Sequence, residues 1–226
     1  MTGAEAVIQL KLKADKLSSD FFPELADEVA VDILNEGFAR FVKQRYGGNN
    51  FKKESFEESQ KRMDDLRNIT VYVPIATSTP STFYQSAREF ALPQDYWFSV
   101  IEQIDVTADD CKDEPATSRV GIKAIQHNNV NTVLTDPFNR PEGSDVVRVM
   151  HLDNIVVFHE ASVTLGTLYL GYISGDFRID VNDLSPQLAT AEHTHSEIVD
   201  TAVQYLLENI ESVRYQSHMS ELSRQE

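Results

Sequence analysis

From Val146 to Ile173 the chain reads VVRVMHL, NIVVFHE and VTLGTLYLGYI, strand-length apolar runs joined only at Asp153-Asn154 and Ala161-Ser162. Parallel neighbours need a crossover of about a dozen residues, so connections this short leave room only for hairpins. The segment is therefore expected as an antiparallel meander, and a sheet of this length must bury one face against a second layer.

More strand signals precede it. The β-branched run ITVYVPI, Ile69 to Ile75, reads as a strand ended or bulged by Pro74. Thr77 to Thr82 reads as a loop, and Leu92 to Val106 as a turn followed by a strand. The acidic segment after it, to Pro115, is expected as a solvent-facing loop. Val120 to Gln126 is a further strand, Asn128 is placed to cap a short helical turn through Leu134, and Asp136-Pro-Phe-Asn-Arg-Pro141 is stiffened by two prolines.

Towards both ends the period changes from two to about 3.6. Pro23-Glu24 starts a helix with an apolar stripe of Val29, Ile33, Leu34, Phe38, Phe41 and Val42, stopped by Gly47-Gly48. Ser55-Phe56-Glu57-Glu58 has the capping-box form and predicts a second, mostly polar helix to about Asn68. Thr194-His195-Ser196-Glu197 has the same form, and Ile198, Val199, Ala202, Val203, Leu206, Leu207, Ile210 and Val213 predict a helix over 195–217 covering a sheet face.

The fold class that follows is α+β, an antiparallel β-sheet core with amphipathic helices near both chain ends. Residues 1–18 alternate Ile8, Leu10 and Leu12 with polar residues, the pattern of an arm that adds a strand to a sheet or of a frayed terminus. With no internal repeat and no composition break, a single domain is expected over 19–218, followed by a polar tail over 219–226.

Charge narrows the function. The 226 residues carry 36 acidic and 20 basic side chains, a net charge of −16. Tight DNA binding draws its affinity from Lys and Arg releasing counterions, so a DNA-wrapping role is disfavoured. An acidic wall that DNA passes without adhering is compatible with this charge, as is plain solubility. The lone Cys111 has no partner for an internal disulfide, and Asp109, Asp110, Asp113 and Glu114 around it raise a thiol pKa instead of activating it. With no secretory h-region and no run of about 18 apolar residues, assembly in a reducing cytoplasm is expected.

Catalytic patterns are weak. His193, His195, Glu197 and Asp200 tempt a metal reading, but helical positions i and i+2 diverge by about 200°, whereas a zinc pair sits at i and i+4. His151 and His159 lie on adjacent strand segments with no nucleophile and ordered acid in pattern. Gly47-Gly48 lacks the lysine and hydroxyl of a phosphate loop. No catalytic residue, metal or cofactor is expected. Asp64 and Asp65, beside Arg62 and Arg67, point about 100° apart and are ill placed to share a proton. They read as ion-pairing groups on a surface or between subunits, and Arg45 and Tyr46 supply the guanidinium and aromatic groups enriched in interfaces.

Five motifs occur in order: FVKQRY (Phe41 to Tyr46), FEESQKRMDDLR (Phe56 to Arg67), LPQDYW (Leu92 to Trp97), IQHNNVNTVLTDPFNRP (Ile125 to Pro141) and HSEIVDTAVQYLLE (His195 to Glu208). Together they closely resemble a neck, or head–tail connector, protein family of the crAss-like phages of gut Bacteroidetes. The resemblance implies a non-enzymatic virion protein that forms a ring, twelve-fold by the symmetry of portals and necks. Its implied partners are the portal, other neck or tail proteins and double-stranded DNA passing through the channel, with no membrane. Neighbours in a ring meet through different surfaces, and Arg45, Tyr46, Arg62, Asp64, Asp65, Arg67, Phe138 and Arg140 are the interface candidates. Another tail or capsid-associated phage structural protein is the alternative, and a metal-dependent phage enzyme a third.

Overall fold

The computed structural model describes residues 1–17, 25–47, 60–84, 87–108 and 116–209. In chain order the elements are α1 (Gly3–Leu17), α2 (Asp27–Gly47), α3 (Gln60–Leu66), β1 (Thr70–Ile75), β2 (Thr79–Pro80), β3 (Ala87–Ala91), β4 (Tyr96–Ala108), β5 (Ala116–Gly121), β6 (Lys123–Ala124), α4 (Val130–Thr135), β7 (Val147–His151), β8 (Asn154–Phe158), β9 (Val163–Ser174) and α5 (His195–Asn209). They fall into two compact units, one drawn from residues 1–69 and 175 onward, the other from 70–174. The class is the expected α+β, with helices towards both ends.

The first unit is helical. Its α1 corrects the expectation of an extended arm. Ala6, Leu10 and Ala14 recur every four residues and Val7 widens the stripe, all buried, while Ile8 and Leu12 face solvent. The alternation was thus incidental, and small alanines carry the buried face. The start is a reciprocal capping box: the Glu5 amide donates to Thr2 Oγ1 at 3.2 Å, and the Thr2 amide donates to Glu5 Oε2 at 3.0 Å.

In α2, Ala30, Val31, Ile33, Leu34, Gly37, Phe38, Phe41 and Val42 are buried, while Val29, expected in the stripe, is exposed. Ala30, Val31, Ile33 and Leu34 of this face pack with α1 and α5 in one core, so the partners of α5 within this unit are helices, where a sheet face was expected. Thr194 and Glu197 also depart from the expected capping box: Thr194 Oγ1 donates to the Ala191 carbonyl at 2.7 Å, and the Glu197 carboxylate reaches Arg45. A 3₁₀ turn, Glu192–Thr194, leads into the helix instead. Asn35 clamps the chain before α5, its Nδ2 donating to the Ile179 carbonyl and its Oδ1 accepting the Ile179 amide.

Leu206 is 5% exposed within this core. Leu206→Ala removes transfer energy and leaves a cavity, so a loss of about 2 kcal/mol is expected, readable as a lower urea midpoint at unchanged slope. The start of α2 expected at Pro23, the capping box at Ser55 to Glu58, Cys111, and Ile210, Val213 and the tail lie outside the described residues.

The second unit is built from two sheets, ordered β1-β9-β4-β5 and β2-β3-β8-β7-β6, with every pairing antiparallel except β6 with β7. This corrects the expected meander. β7 and β8 form the hairpin, but β9 crosses to the other sheet and pairs with β1 and β4. Pro74 is accommodated because β1 is an edge strand. Phe90, Ile104, Val106, Ile155, Val157, Leu168, Leu170 and Tyr172 share a core. On its other face the five-stranded sheet is covered by Val130 and Leu134 of α4, packed with Val147, Val149, Val156 and Phe158.

Two polar features pin this unit internally. The Asp95 carboxylate accepts the Ser174 hydroxyl at 2.7 Å and the Tyr172 hydroxyl at 2.9 Å, tying the LPQDYW turn to β9. Those bonds, Ser174 first, hold Asp95 below the usual carboxylate range, while burial and the Asp95 contact push the Tyr172 phenol up to about 12. Glu102, on β4, accepts a bidentate fork from Arg148, on β7, at 2.5 and 2.6 Å, and the Ser99 hydroxyl at 2.5 Å. This pair links the two sheets through the core side of each.

Candidate intersubunit surfaces

In the first unit Arg45 is a polar hub. Coming from the last turn of α2, its Nε lies 2.9 Å from Asp65 Oδ2, its other end pairs with Glu197 of α5, and its guanidinium lies over the Phe41 ring at 5.0 Å. Asp65 Oδ1 is in turn 2.8 Å from His193 Nε2. The side chains of Arg45 and Asp65 are 11% and 1% exposed. These charges therefore join α2, α3 and α5 inside the protomer, where the sequence had made Arg45 and Asp65 interface candidates and Asp65 an ion-pairing group on a surface or between subunits.

The reason lies in helix geometry: successive side chains diverge by about 100°, so Asp65 turns inward while Asp64 stays exposed. Arg67 is exposed, and Arg62 and Tyr46 are half-buried. The residues left on this unit's surface from the candidate set are thus Arg62, Asp64 and Arg67, with Tyr46 at the margin.

The histidine cluster is dispersed by the same geometry. His193 meets Asp65, His195 Nε2 donates to the Thr190 carbonyl at 3.1 Å, Glu197 meets Arg45, and Asp200 accepts Lys13 at 2.6 Å. In the second unit, His151 stacks on Phe83, with ring centroids 5.7 Å apart, and His159 lies against the Glu160 carbonyl. Among the described residues no group of three His, Cys, Asp or Glu side chains is placed to hold a metal.

His195 is 4% exposed, and burial lowers its pKa below the ordinary imidazole value, the Thr190 carbonyl opposing the shift in part. Below about pH 6.5 the unfolded chain takes up a proton that the folded site resists, so stability is full above that pH and falls as pH drops towards the folded pKa. Thermal melts at pH 7.5 and 5.5 should show a smaller drop for His195→Gln than for the wild type.

In the second unit the proline-flanked loop after α4 is a fixed turn. Asp136 Oδ1 accepts the Phe138 amide at 3.0 Å, Asp136 Oδ2 accepts Asn139 Nδ2 at 2.5 Å, and the Asp136 carbonyl accepts the Arg140 amide at 3.0 Å. The Phe138 amide is the main reason the Asp136 carboxyl sits below its usual range. The turn holds Phe138 95% exposed, and Arg140 Nε donates to Glu142 at 2.6 Å.

Sequence reasoning missed a second surface, the outer face of the four-stranded sheet. There Tyr72 is 69% exposed, Ile101 is also exposed, and the Arg119 guanidinium lies 3.6 Å from the Tyr169 ring centroid while pairing with Asp105 at 2.9 Å. The signal was present in the strands, because Tyr72, Ile101 and Tyr169 occupy the alternate positions opposite the buried set. Reading them required knowing which strands adjoin.

A preorganised exposed aromatic turn, a sheet face that leaves Tyr72 and Ile101 exposed among the described residues, and a charged helix surface are features of a subunit suited to assembly with others. The chain belongs to the phage tail ring protein 3/4 family of crAss-like phages, whose description matches residues 28–210. It is a structural component of a phage tail, and the match spans both units from the first turn of α2 to the end of α5. Among curated proteins, none matches the chain. No helix among the described residues is long and apolar enough to cross a membrane.

Proposed function

We propose that this protein is a non-enzymatic, homo-oligomeric ring of the neck, seated coaxially between the portal and the tail around the DNA channel. The observation that carries the reading is membership of a tail ring family along most of the chain. Twelve copies fit the symmetry of the portals that such rings adjoin. A net charge of −16 per copy gives the assembled wall a repulsive potential towards phosphate, so DNA passes without sequence-specific binding or lasting contacts. Assembly takes place in the host cytoplasm, on surfaces that include Arg62, Arg67, Phe138 and Arg140, while Arg45 and Asp65 set the helix positions behind the first of them.

Charge reversal tests this. Arg62→Glu and Arg67→Glu should change protomer stability by about 1 kcal/mol or less, because charges at the surface, the half-buried Arg62 and the exposed Arg67, contribute little within a subunit. Each should nonetheless lower incorporation into virions, since like charges repeat at every interface of a ring. Circular dichroism reads the first effect and virion composition the second. Normal incorporation of both variants would remove this surface from the interface, and absence of the wild-type chain from purified virions would end the neck-ring reading.

A further inference from the structure

A hollow of about 280 Å³ lies on the outer face of the four-stranded sheet, between Tyr72, Pro74, Ile101, Gln103, Tyr169 and Gly171. Gly171 carries no side chain, and Tyr72 and Ile101 lean over it to form the floor: a Cβ there would stand 2.5 Å from Ile101 and 2.7 Å from Tyr72. The hollow is smaller than the roughly 300–1,000 Å³ of small-molecule sites. Its one charged group, Arg119, is already spread over Tyr169 and paired with Asp105. Such a cavity suits a single large apolar side chain.

We infer that it receives Phe138 of the next copy in the ring, an inference that rests on the ring reading above. Phe138 is the most exposed of the large apolar side chains among the described residues, and its turn is fixed by Asp136 before any partner arrives. Seating it orders little that is not already ordered, which is the condition for a strong aromatic anchor.

Placement supports the same pairing. The Phe138 turn continues from α4, which covers the outer face of the five-stranded sheet, whereas the hollow is on the outer face of the four-stranded sheet. Knob and socket thus lie on opposite layers of one unit, as a head-to-tail contact between identical copies requires. Electrostatics agree. Copies carrying −16 each repel except where both patches are locally balanced, and here Arg119 faces Asp105 while Arg140 faces Glu142.

Paired cysteines provide the test. In a Cys111→Ser background that keeps Phe138, Gln103→Cys at the rim of the hollow with Arg140→Cys beside the knob places the two thiols on opposite outer faces of sheets stacked about 10 Å apart. That exceeds the roughly 7 Å Cα separation a disulfide tolerates, so any bond links two copies. Oxidised virions should yield a covalent ladder of multimers that neither single-cysteine variant gives. Phe138→Asp should lower virion incorporation at least about tenfold with an unchanged unfolding midpoint, and Leu152→Asp, at another exposed apolar position, should incorporate normally. No ladder together with normal incorporation of Phe138→Asp, in virions that do contain the wild-type ring, would overturn the socket and leave the ring reading standing. Virions lacking the wild-type chain would overturn both.

Discussion

Replacing Glu102 by Met should destabilise the protomer by about 3–5 kcal/mol, because it strands the Arg148 guanidinium between two sheets without its counter-charge. The pair has the features of a buried ion bridge: side chains 5% and 17% exposed, a bidentate fork at 2.5 and 2.6 Å, and a third bond from Ser99. Arg148→Met should cost a similar amount by leaving the carboxylate uncompensated. The double replacement should recover most of the loss, since an apolar pair of similar size needs no desolvation of charge. Urea denaturation of the two single variants and the double variant completes the cycle. Single-variant losses below about 1 kcal/mol would show that water reaches the pair and that the sheets do not depend on it.

Gly37→Ala should lower stability by about 3 kcal/mol, although the same change in an open helix stabilises by roughly 0.5–1 kcal/mol. The sign is decided by the crossing of α2 and α5. A Cβ at residue 37 would stand 2.5 Å from the Ala202 Cβ, 2.6 Å from its Cα and 2.7 Å from its backbone nitrogen. Two of those atoms are main chain, so the helices must separate to admit the methyl group. Ala202→Gly in the Gly37→Ala background should therefore restore little, because the close Cα and nitrogen remain. A full rescue would show that the Cβ contact alone sets the helix spacing, and a neutral Gly37→Ala would show that the crossing is looser than the structure has it.

Much of the local structure was legible in the sequence because it depends on neighbours along the chain. The apolar spacing of Ile33, Leu34, Phe38 and Phe41 announced α2, the β-branched run announced β1, and the short Asp153-Asn154 connection fixed the β7–β8 hairpin. The divergence of His193 and His195 also followed from helix and cap geometry. Thr2 and Glu5 carried a capping box for α1 in plain sight, but the louder alternation of Ile8, Leu10 and Leu12 pointed to an extended arm. The alanines that form its buried face are weak markers in any hydropathy pattern.

What the sequence determined by itself was therefore which segments become helix or strand and which face of each is apolar, since propensity, capping and periodicity act within a few residues. Tertiary structure alone decided what covers those faces. It sent α5 onto α1 and α2 and moved β9 out of the meander to lie between β1 and β4. It turned Asp65 inward to Arg45 and His193, and placed Glu102, one acid among several polar residues of β4, opposite Arg148. An apolar stripe or a charge states what kind of partner it needs but not where along the chain that partner lies. That choice is made when distant segments compete to bury the same surface, and local pattern holds no record of the outcome.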